Sequence, residues 1–345
     1  MDSLKSLLVY SNHGFGSYSS YPIISKYISN CDTLFTLRKE PNTLNKRILN
    51  RLVRSFATSQ WYKLTSLQLE WLLIQHFCKS RPHLIHFLWA ERDLGYINLL
   101  NNLTKVPLCC TFHCCPEDLP NILTYQKRLR SLSAIVIMSE TQRPFFESCG
   151  VASHKIHCIL HGVDTKFFLP SNAESPPSNF TVLSVGSYKR NFPLLRQVAV
   201  KLKKHPGICI KVVTSKNFYQ YFSDLDNVEF VSGLTDFELV ETYQSSSCLL
   251  LTVENATANN ALLEGLACGL PVVAENIGGV SEYVNSDCAI VTEAKNSDLL
   301  VEAIIKLSRS TSQCSEMAKA ARKRALELSW SKVAVKTEEL YKSLV

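Results

Sequence analysis

The sequence predicts an α/β protein built from two doubly wound domains. Three observations lead to this fold class. The 345 residues are too many for one ordinary hydrophobic core. Short apolar β-type runs alternate with helix-length amphipathic segments, and one polar segment with two prolines interrupts the alternation near the middle. Alternation of this kind is typical of βαβ units and parallel sheets.

Twelve apolar runs are the candidate strands, six on each side of the interruption. In the first half they are residues 6–10, 33–36, 84–87, 108–111, 134–138 and 156–160, and in the second half residues 181–185, 208–214, 228–231, 248–251, 271–274 and 289–291. Six strands is the size of a doubly wound domain, whose ligands bind beyond the carboxyl ends of the strands. We therefore looked for functional residues in the loops that follow the strands.

The domain boundaries follow from the interruption. Residues 171–178 read SNAESPPS, a polar composition with two prolines that predicts an interdomain linker. We predict a first domain over residues 1–170 and a second domain over residues 179–327. Residues 328–345 are expected to form a C-terminal helix that packs back toward the first domain.

Composition and charge limit the functional classes. Thirteen scattered cysteines without a secretory signal favour free thiols in a reducing, cytoplasmic compartment. Residues 1–165 hold 18 Lys and Arg against 11 Asp and Glu, so the whole formal excess of +7 lies in the first half. This asymmetry indicates an anionic partner, such as membrane lipid, a lipid-linked phosphate or nucleic acid, or else merely a basic surface. Of these partners we do not expect nucleic acid.

Residues 43–56 form the clearest amphipathic helix. Its apolar side chains fill one half-turn and its basic side chains fill the other. The apolar set is Leu44, Ile48, Leu49, Leu52, Val53 and Phe56, and the basic set is Lys46, Arg47, Arg51 and Arg54. One interpretation is a helix on an anionic membrane surface, which would place the protein peripherally on the inner face of a membrane. The alternative is a helix whose apolar face packs into the core of the first domain.

Residues 254–284 carry the strongest functional pattern, ENATANNALLEGLACGLPVVAENIGGVSEYV. Residues 260–268 are predicted to form a short helix, and Gly278 with Gly279 forms a turn that opens another. Backbone N–H groups at helix starts bind phosphate, and glycine lets the backbone approach it closely. Glu264, one turn into the first helix, can accept paired hydrogen bonds from neighbouring sugar hydroxyls. Each feature taken alone is also compatible with a purely structural role.

The stretch as a whole resembles the signature of the family 4 glycosyltransferases, E-x7-E-A-x-A-x-G-x-P-V-V-A followed by G-G-x-x-E. The matching residues are Glu264, Ala267, Gly269, Pro271, Val272, Val273, Ala274, Gly278, Gly279 and Glu282. Three other segments also resemble the family, namely residues 161–164 (HGVD), residues 231–234 (VSGL) and residues 328–330 (LSW).

The resemblance implies a GT-B fold, in which two Rossmann-like domains face each other across a cleft. It implies transfer of a sugar from a UDP- or GDP-sugar to a glycan, lipid-linked or small-molecule acceptor, in polysaccharide or glycolipid assembly. Transfer would retain the anomeric configuration and need no tightly bound metal. The resemblance further implies that Glu264 holds the ribose hydroxyls and that the backbone of Asn260, Ala261 and Leu262 meets the diphosphate or the sugar.

One position departs from the family pattern. The first glutamate of the pair should stand eight residues before Glu264, but that residue is Ala256, and Glu254 comes two residues too early. The family's first acid holds the transferred sugar, so either a remodelled loop brings Glu254 to the sugar or this contact is absent. The departure leaves the identity of the donor sugar open, and a catalytically silent relative that binds nucleotide or glycan as a scaffold is the alternative function.

Cations in the loop after the first strand of the second domain are expected to stabilise the charge that grows on the leaving diphosphate. The family places an Arg and a Lys there. Here the loop begins with Gly186, which we assign to the donor site, and Ser187 occupies the Arg position. We assign Lys189 and Arg190 to the diphosphate. The alternative is a pair of solvated surface charges.

His113 follows the strand 108–111, where the family has a His that meets the donor sugar. A His at this place could donate to a hydroxyl or orient an acceptor. A zinc site is the alternative, because Cys109, Cys110, Cys114 and Cys115 flank this residue. The sequence has no second cluster at ligand spacing, so we predict no metal.

Gly14 and Gly16 follow the first strand. They resemble a dinucleotide fingerprint, but Ser19 occupies the third glycine position, and no well-placed acid for a ribose follows. An NAD(P)-dependent enzyme is therefore the weaker alternative. In a GT-B enzyme the same loop lies at the floor of the cleft, near donor and acceptor.

Overall fold

The structure is a computed structural model that describes residues 4–12, 18–37, 44–171 and 179–345. The chain packs as two compact units. Unit 1 comprises the described residues up to His161 together with Trp330–Val345, and unit 2 comprises Gly162–Ser329. Each unit contains one six-stranded sheet with helices. The predicted α/β class, with two doubly wound Rossmann-like units, is confirmed.

The sheet of unit 1 has the strand order β2-β1-β3-β4-β5-β6, with every neighbouring pair parallel. The strands are β1 (Ser6–Asn12), β2 (Cys31–Leu37), β3 (Leu84–Phe87), β4 (Leu108–Phe112), β5 (Ala134–Ile137) and β6 (Ile156–Cys158). Strands β3, β4 and β5 are buried along their whole length. Burial on both faces explains why they occur in the sequence as continuous apolar runs.

Helices cover this sheet and complete its core. Those in the first part of the chain are α1 (Leu44–Arg54), α2 (Leu64–Ser80), α3 (Ala90–Asp93), α4 (Ile97–Thr104), α5 (Leu119–Ile122) and α6 (Arg143–Ser148). Short 3-10 helices span Tyr21–Lys26, Gln126–Ser131, Glu140–Gln142 and Ser153–Lys155. Leu69 and Leu73 of α2 share one buried core with Leu7 and Ile85 of the sheet.

Unit 2 repeats the architecture, with the strand order β12-β11-β10-β7-β8-β9 and parallel pairing throughout. Its strands are β7 (Phe180–Val185), β8 (Ile208–Val213), β9 (Val228–Val231), β10 (Cys248–Leu251), β11 (Val272–Glu275) and β12 (Ala289–Thr292). Because the order reverses between β7 and β10, the loops after these two strands mark the position where ligands bind in open parallel sheets.

The helices of unit 2 flank its sheet on both faces. They are α7 (Phe192–Leu202), α8 (Asp236–Gln244), α9 (Asn260–Ala267), α10 (Val280–Tyr283), α11 (Ser297–Ser308) and α12 (Thr311–Glu327), with a 3-10 helix over Lys216–Tyr221. Several begin with the side-chain caps expected from their sequences. Thr235, for example, accepts a hydrogen bond from the backbone N–H of Glu238, and the Glu238 carboxylate accepts one from the Thr235 N–H.

Residues 162–170 belong to unit 2, although the sequence assigns them to the first domain. Arg322 of α12 fixes them in place. Its guanidinium donates to the carbonyl oxygens of Thr165 at 2.9 Å, Phe168 at 2.9 Å and Ala267 at 2.7 Å. The predicted linker 171–178 lies, apart from its first residue, outside the described residues.

Helix α13 (Trp330–Leu344) is part of unit 1. Its buried residues recur every three or four positions, as in an amphipathic helix, and are Trp330, Val333, Ala334, Thr337, Leu340 and Tyr341. A buried hydrogen-bonded chain joins it to the sheet. His86 Nδ1 lies 2.6 Å from the Tyr341 hydroxyl, and His86 Nε2 lies 2.7 Å from the Thr111 hydroxyl.

Helix α1 exposes its apolar face. Relative exposure is 55% for Ile48, 46% for Leu49, 60% for Leu52 and 66% for Phe56 just beyond the helix. The alternative in which this face packs into the core of the first domain is therefore wrong. Amphipathic periodicity identifies an apolar face, but it does not tell what covers that face. Among the described helices, none is both long enough and apolar enough to cross a bilayer.

Candidate functional site

The loops after β7 and β10 are joined to each other at the carboxyl edge of the unit 2 sheet. Arg190 and Val253 form an antiparallel bridge. The Asn191 N–H donates to the Thr252 carbonyl at 3.1 Å, and the Glu254 N–H donates to the Lys189 carbonyl at 2.9 Å. This pairing brings the predicted cation loop and the predicted sugar-holding loop together. Lys189 has the left-handed φ of +50° that such a tight turn requires.

Arg190 is held by the protein rather than by solvent, so the solvated alternative is wrong for this residue. Its Nε donates to the Val185 carbonyl at 2.8 Å, and its Nη2 donates to the Asn259 side-chain oxygen at 3.2 Å. Burial lowers the pKa of Arg190 to about 10, against the opposing effect of nearby acidic groups that include Glu264. The guanidinium therefore stays charged at neutral pH. A Cβ atom on Gly186 would lie only 2.8 Å from Nη2, so Gly186 makes room for Arg190.

Asn259 caps the start of α9. Its side-chain oxygen accepts a hydrogen bond from the Leu262 N–H at 3.1 Å. The Leu262 amide is thus already used within the helix, and its predicted contact with the diphosphate or the sugar stays a prediction. Asn260 is exposed and Ala261 is 5% exposed at the same helix start. Their proposed role in binding phosphate stays a prediction.

Glu264 lies one turn inside α9 and is only 5% exposed. Its Oε2 accepts a hydrogen bond from the Tyr243 hydroxyl at 2.7 Å. Burial and the Glu264 charge raise the pKa of Tyr243 well above its usual value, so this phenol stays a donor. A hydrogen bond to a charged group of this kind contributes about 1.5–3 kcal/mol. The hydrogen bond from Tyr243 fixes the position of one oxygen of the Glu264 carboxylate. Tyr243 is not among the site residues predicted from the sequence.

Gly278 and Gly279 pack against the loop that contains Ala256. Gly278 has φ +57°, and a Cβ atom there would lie 2.2 Å from the Ala256 carbonyl oxygen. The Gly279 N–H donates to the same oxygen at 2.8 Å. The sequence predicted that the Gly278 backbone closely approaches a diphosphate. In the structure the Gly278 backbone closely approaches the loop that contains Ala256. The two residues position the donor loop, whose Glu254 side chain is exposed.

Glu275, which sequence reasoning missed, lies at the end of β11 on the same edge. It is completely buried, and its Oε1 accepts a hydrogen bond from the Lys295 N–H at 2.6 Å. Burial raises the pKa of the Glu275 carboxyl above its usual value. An acid directly after a predicted buried strand was the signal that could have identified it.

The carboxyl edge of the unit 1 sheet carries a second group of polar and aromatic side chains. His113 directly follows β4 and stacks on the Trp89 ring, with the ring centroids 4.1 Å apart and the planes 11° from parallel. Tyr21 meets His113 edge-on at 4.9 Å, and the His161 ring lies 5.3 Å from that of Tyr21. Glu91 lies beneath His113. Trp89, Tyr21 and Glu91 were not predicted, because they come from loops distant in sequence. Gly14 and Gly16 lie outside the described residues.

The zinc alternative at His113 finds no support in the side-chain positions. The four neighbouring cysteines are buried free thiols. Within the described ranges, potential metal ligands that approach one another within 4.8 Å are Cys115, Glu117 and Asp118, a group that does not include His113. Burial raises the pKa of the Cys109 and Cys110 thiols, which keeps them protonated and poorly suited to a metal.

Two family models match the chain. The model for Glycosyltransferase Family 4 matches residues 33–167, and the model for Glycosyl transferases group 1 matches residues 167–324. The two matches meet at residue 167, a few residues after the chain passes from unit 1 to unit 2 at Gly162. They cover both predicted domains.

Curated relatives share modest identity with the chain. The MMP alpha-(1->4)-mannosyltransferase of Mycolicibacterium hassiacum is 23% identical over 221 residues, which are 61% of this chain and 54% of that protein. The D-inositol 3-phosphate glycosyltransferase of Corynebacterium urealyticum is 30% identical over 225 residues, 56% of this chain and 53% of that protein. The chain thus spans about half the length of these relatives.

Solved structures share the fold over the whole chain. A glycosyltransferase from Rickettsia africae superposes with a TM-score of 0.72 at 17% identity, covering 99% of this chain and 98% of that one. Anabaena HepE in complex with UDP-glucose superposes with a TM-score of 0.71 at 16% identity, covering 98% of this chain and 100% of that one. These neighbours show that both units have the GT-B topology.

Proposed function

This chain belongs to the family 4 glycosyltransferases, and we propose that it transfers a sugar from a nucleotide-diphosphate sugar to a hydroxyl acceptor with retention of configuration. One observation carries the proposal. The carboxylate of Glu264 is fixed by Tyr243 at the edge of the sheet, in the unit whose loops after β7 and β10 hold cations and the donor loop together. UDP and UDP-glucose bound to HepE make a UDP-sugar the first donor to test.

In the proposed complex the Glu264 carboxylate accepts hydrogen bonds from the ribose hydroxyls. Negative charge grows on the diphosphate as the bond to the sugar breaks. Lys189 supplies a cation directly to it. Arg190 adds a second charge and holds Asn259, which fixes the start of α9. Fixed charges of this kind lower the barrier because they need no rearrangement during the reaction.

On unit 1 we propose that His113 contacts the transferred sugar or the acceptor hydroxyl. The imidazole can donate or accept a proton in a hydrogen bond at neutral pH. Its ring is fixed by stacking on Trp89. A glycan, a lipid-linked glycan or a small hydroxyl compound is the proposed acceptor class.

A donor-binding experiment tests the Glu264 assignment. UDP at a hundred times its Kd should stabilise the wild-type chain by about 2.7 kcal/mol in thermal unfolding. Glu264→Gln keeps an acceptor for Tyr243 but removes the carboxylate, so we expect UDP affinity to fall at least tenfold and transfer from UDP-sugars to be lost. Glu302→Gln, an exposed acid on α11, is the matched control. Unreduced transfer by Glu264→Gln would rule out the assignment.

A catalytically silent scaffold is the second candidate, and Ala256 favours it. In place of an acid the donor loop has a small side chain that is 6% exposed. Thermal stabilisation by nucleotide, combined with no UDP release and no product across a panel of UDP- and GDP-sugars, would select this candidate. Product formed from any donor of the panel would select the transferase, and NMR of the product would show whether the anomeric configuration is retained.

We also propose that α1 binds an anionic lipid surface on the cytoplasmic side of a membrane. The exposed apolar side chains lie beside the exposed Arg47 and Arg51. Arg128 Nη1 donates to the Phe56 carbonyl at 2.6 Å, and its guanidinium lies 4.2 Å from the ring of the half-exposed Tyr125. A helix that binds within the headgroup region of a membrane requires apolar side chains bordered by basic residues, and α1 has both. The net charge of +7 in residues 1–165 has the matching sign.

Flotation with vesicles tests the lipid proposal. The double variant Leu52→Ser, Phe56→Ser should lose most of its binding to vesicles rich in phosphatidylglycerol, because burying each large apolar side chain contributes about 1.5–3 kcal/mol. Wild type should bind phosphatidylcholine vesicles far less. Leu99→Ser, Leu103→Ser removes two equally exposed leucines of α4 and is the control. Equal flotation of the two double variants would contradict the proposal.

A further inference from the structure

Glu91 is a completely buried acid that joins two loops of unit 1. It lies in α3, directly after β3. Its Oε1 accepts hydrogen bonds from the backbone N–H groups of His113 and Cys114, the latter at 2.8 Å. The carboxylate therefore fixes the backbone of the loop that carries His113.

The second oxygen of Glu91 faces the imidazole of the same residue. Oε2 lies 3.8 Å from His113 Nδ1, within the range of an ion pair but longer than a hydrogen bond. The imidazole has little freedom to turn away. Trp89 stacks on one face of the ring, and Tyr21 meets it edge-on.

The ionised state of the buried Glu91 carboxyl requires a physical explanation. Burial by itself raises the pKa of this carboxyl, but the facing His113 side chain and the hydrogen bond from the Cys114 amide outweigh burial and bring the pKa below its usual value. Burying a charge is costly unless that charge is matched. A glutamine could accept both amide hydrogen bonds without that cost. The ionised acid is therefore explained by the imidazole that it faces and not by the loop alone.

We propose that Glu91 is a positioning residue that keeps a proton of the His113 ring on Nδ1 and so fixes the tautomer and the orientation of the imidazole. A carboxylate beside one ring nitrogen sets the tautomer and the orientation of the other. A contact between this ring and the substrate rests on the proposed function, whereas the orientation of the ring does not. The other ionisable groups near this pair are His86, Cys110, Tyr21 and His161.

The variant Glu91→Gln separates charge from loop anchoring. Its side-chain carbonyl can still accept from the two amides, so the fold and UDP binding should be preserved. We expect kcat to fall about 10–100-fold, as for other residues that orient a functional histidine, with the KM for the donor unchanged. In a His113→Ala background the same substitution should have no further effect on kcat. An unchanged kcat, or an undiminished effect in that background, would overturn the proposal.

A spectroscopic measurement decides the question even for a chain that transfers no sugar. With ¹⁵N-labelled histidine, the His113 ring of the wild type should show the tautomer protonated at Nδ1, and Glu91→Gln should shift the population toward Nε2. Asp93→Asn is the matched control, because Asp93 is an equally buried acid of α3 whose oxygens bind the Ser11 N–H at 2.7 Å and the Ser11 hydroxyl at 2.5 Å. A His113 spectrum identical in wild type and Glu91→Gln would overturn the proposal. Absence of transfer by the wild type together with the tautomer shift would instead refute only the proposed function.

Discussion

At the residue scale, the backbone of Ala256 leaves no room for a side chain at Gly278, where an added Cβ atom would lie 2.2 Å from the Ala256 carbonyl oxygen. The Gly278 Cα faces a backbone carbonyl that cannot move without displacing the donor loop. The site therefore depends on the absence of a methyl group at position 278. An aligned glycine pair in a signature is commonly attributed to ligand approach, whereas here one of the two is needed for loop packing.

Gly278→Ala should destabilise the chain by about 2–5 kcal/mol, the sum of a left-handed backbone penalty and overpacking. Urea unfolding and UDP binding measure the two consequences. Gly207→Ala is the matched control, since Gly207 has φ +97° but nothing within 4 Å of an added Cβ atom. Its backbone strain is at least as large, because +97° is farther from the left-handed minimum near +57°. Equal losses of stability in the two variants would show that the contact with Ala256 has no effect.

The sequence allowed some site residues to be predicted and left others hidden. Glu264 was predictable because a motif surrounds it. Its partner Tyr243 lies 21 residues earlier, and Glu91 lies 22 residues before His113. Contacts of this length depend on which loops meet at a sheet edge, which motif spacing does not contain. The hydrogen-bond partners of a predicted residue were therefore harder to predict from the sequence than the residue itself.

At the element scale, α13 is attached to the sheet through a histidine that cannot easily become charged. His86 bridges Tyr341 and Thr111. Burial, together with the charge of His113, lowers the pKa of His86 to about 3 from the ordinary 6.5. Protonation would place an uncompensated charge between the helix and the sheet.

This depressed pKa predicts acid sensitivity. The contribution of His86 to stability is complete above pH 6.5 and falls as the pH drops toward about 3, because the unfolded chain takes up a proton that the folded chain does not. The expected slope is about 1.4 kcal/mol per pH unit. Urea unfolding at several pH values between 4 and 6.5 should give a shallower pH dependence for His86→Gln than for wild type.

Other titratable groups do not obscure the effect of His86, because wild type and His86→Gln both contain these groups and their contributions cancel in the comparison. Burial raises the pKa of Glu70 to about 7, so Glu70 acts in the opposite direction. Its contribution to the stability of the folded chain falls as the pH rises from 4.5 to 7. Parallel pH dependences of wild type and His86→Gln would contradict the assigned role of His86.

Helices and strands differed in how far they could be predicted. Fully buried strands such as β3 and β10 have continuous apolar runs, and these were found at nearly the observed positions. The helix α1 was predicted as an amphipathic element, but the sequence left open whether its apolar face is exposed or packed into the core. Periodicity reports one face of a helix, whereas exposure depends on the elements that pack beside it.

At the scale of the whole molecule, the alternation of strands and helices was sufficient to predict two doubly wound units. It was not sufficient to place the boundary. Residues 162–170 looked like the end of the first domain, yet two hydrogen bonds from Arg322 to the carbonyl oxygens of Thr165 and Phe168 tie them to unit 2. Gln244 adds a hydrogen bond to the Leu169 carbonyl. These contacts come from helices far along the chain, which the local sequence of 162–170 does not indicate.

The return of α13 to unit 1 has a consequence for biosynthesis. Tyr21 contacts Trp330, and His86 contacts Tyr341. All of unit 2 is translated between the two members of each pair. At about 5–20 residues per second, the ribosome needs roughly 10–30 s to make that intervening segment. During this interval the apolar side of the nascent first unit that α13 will cover stays open to chaperones and to aggregation. Unit 1, the first to emerge, is thus the last to be completed.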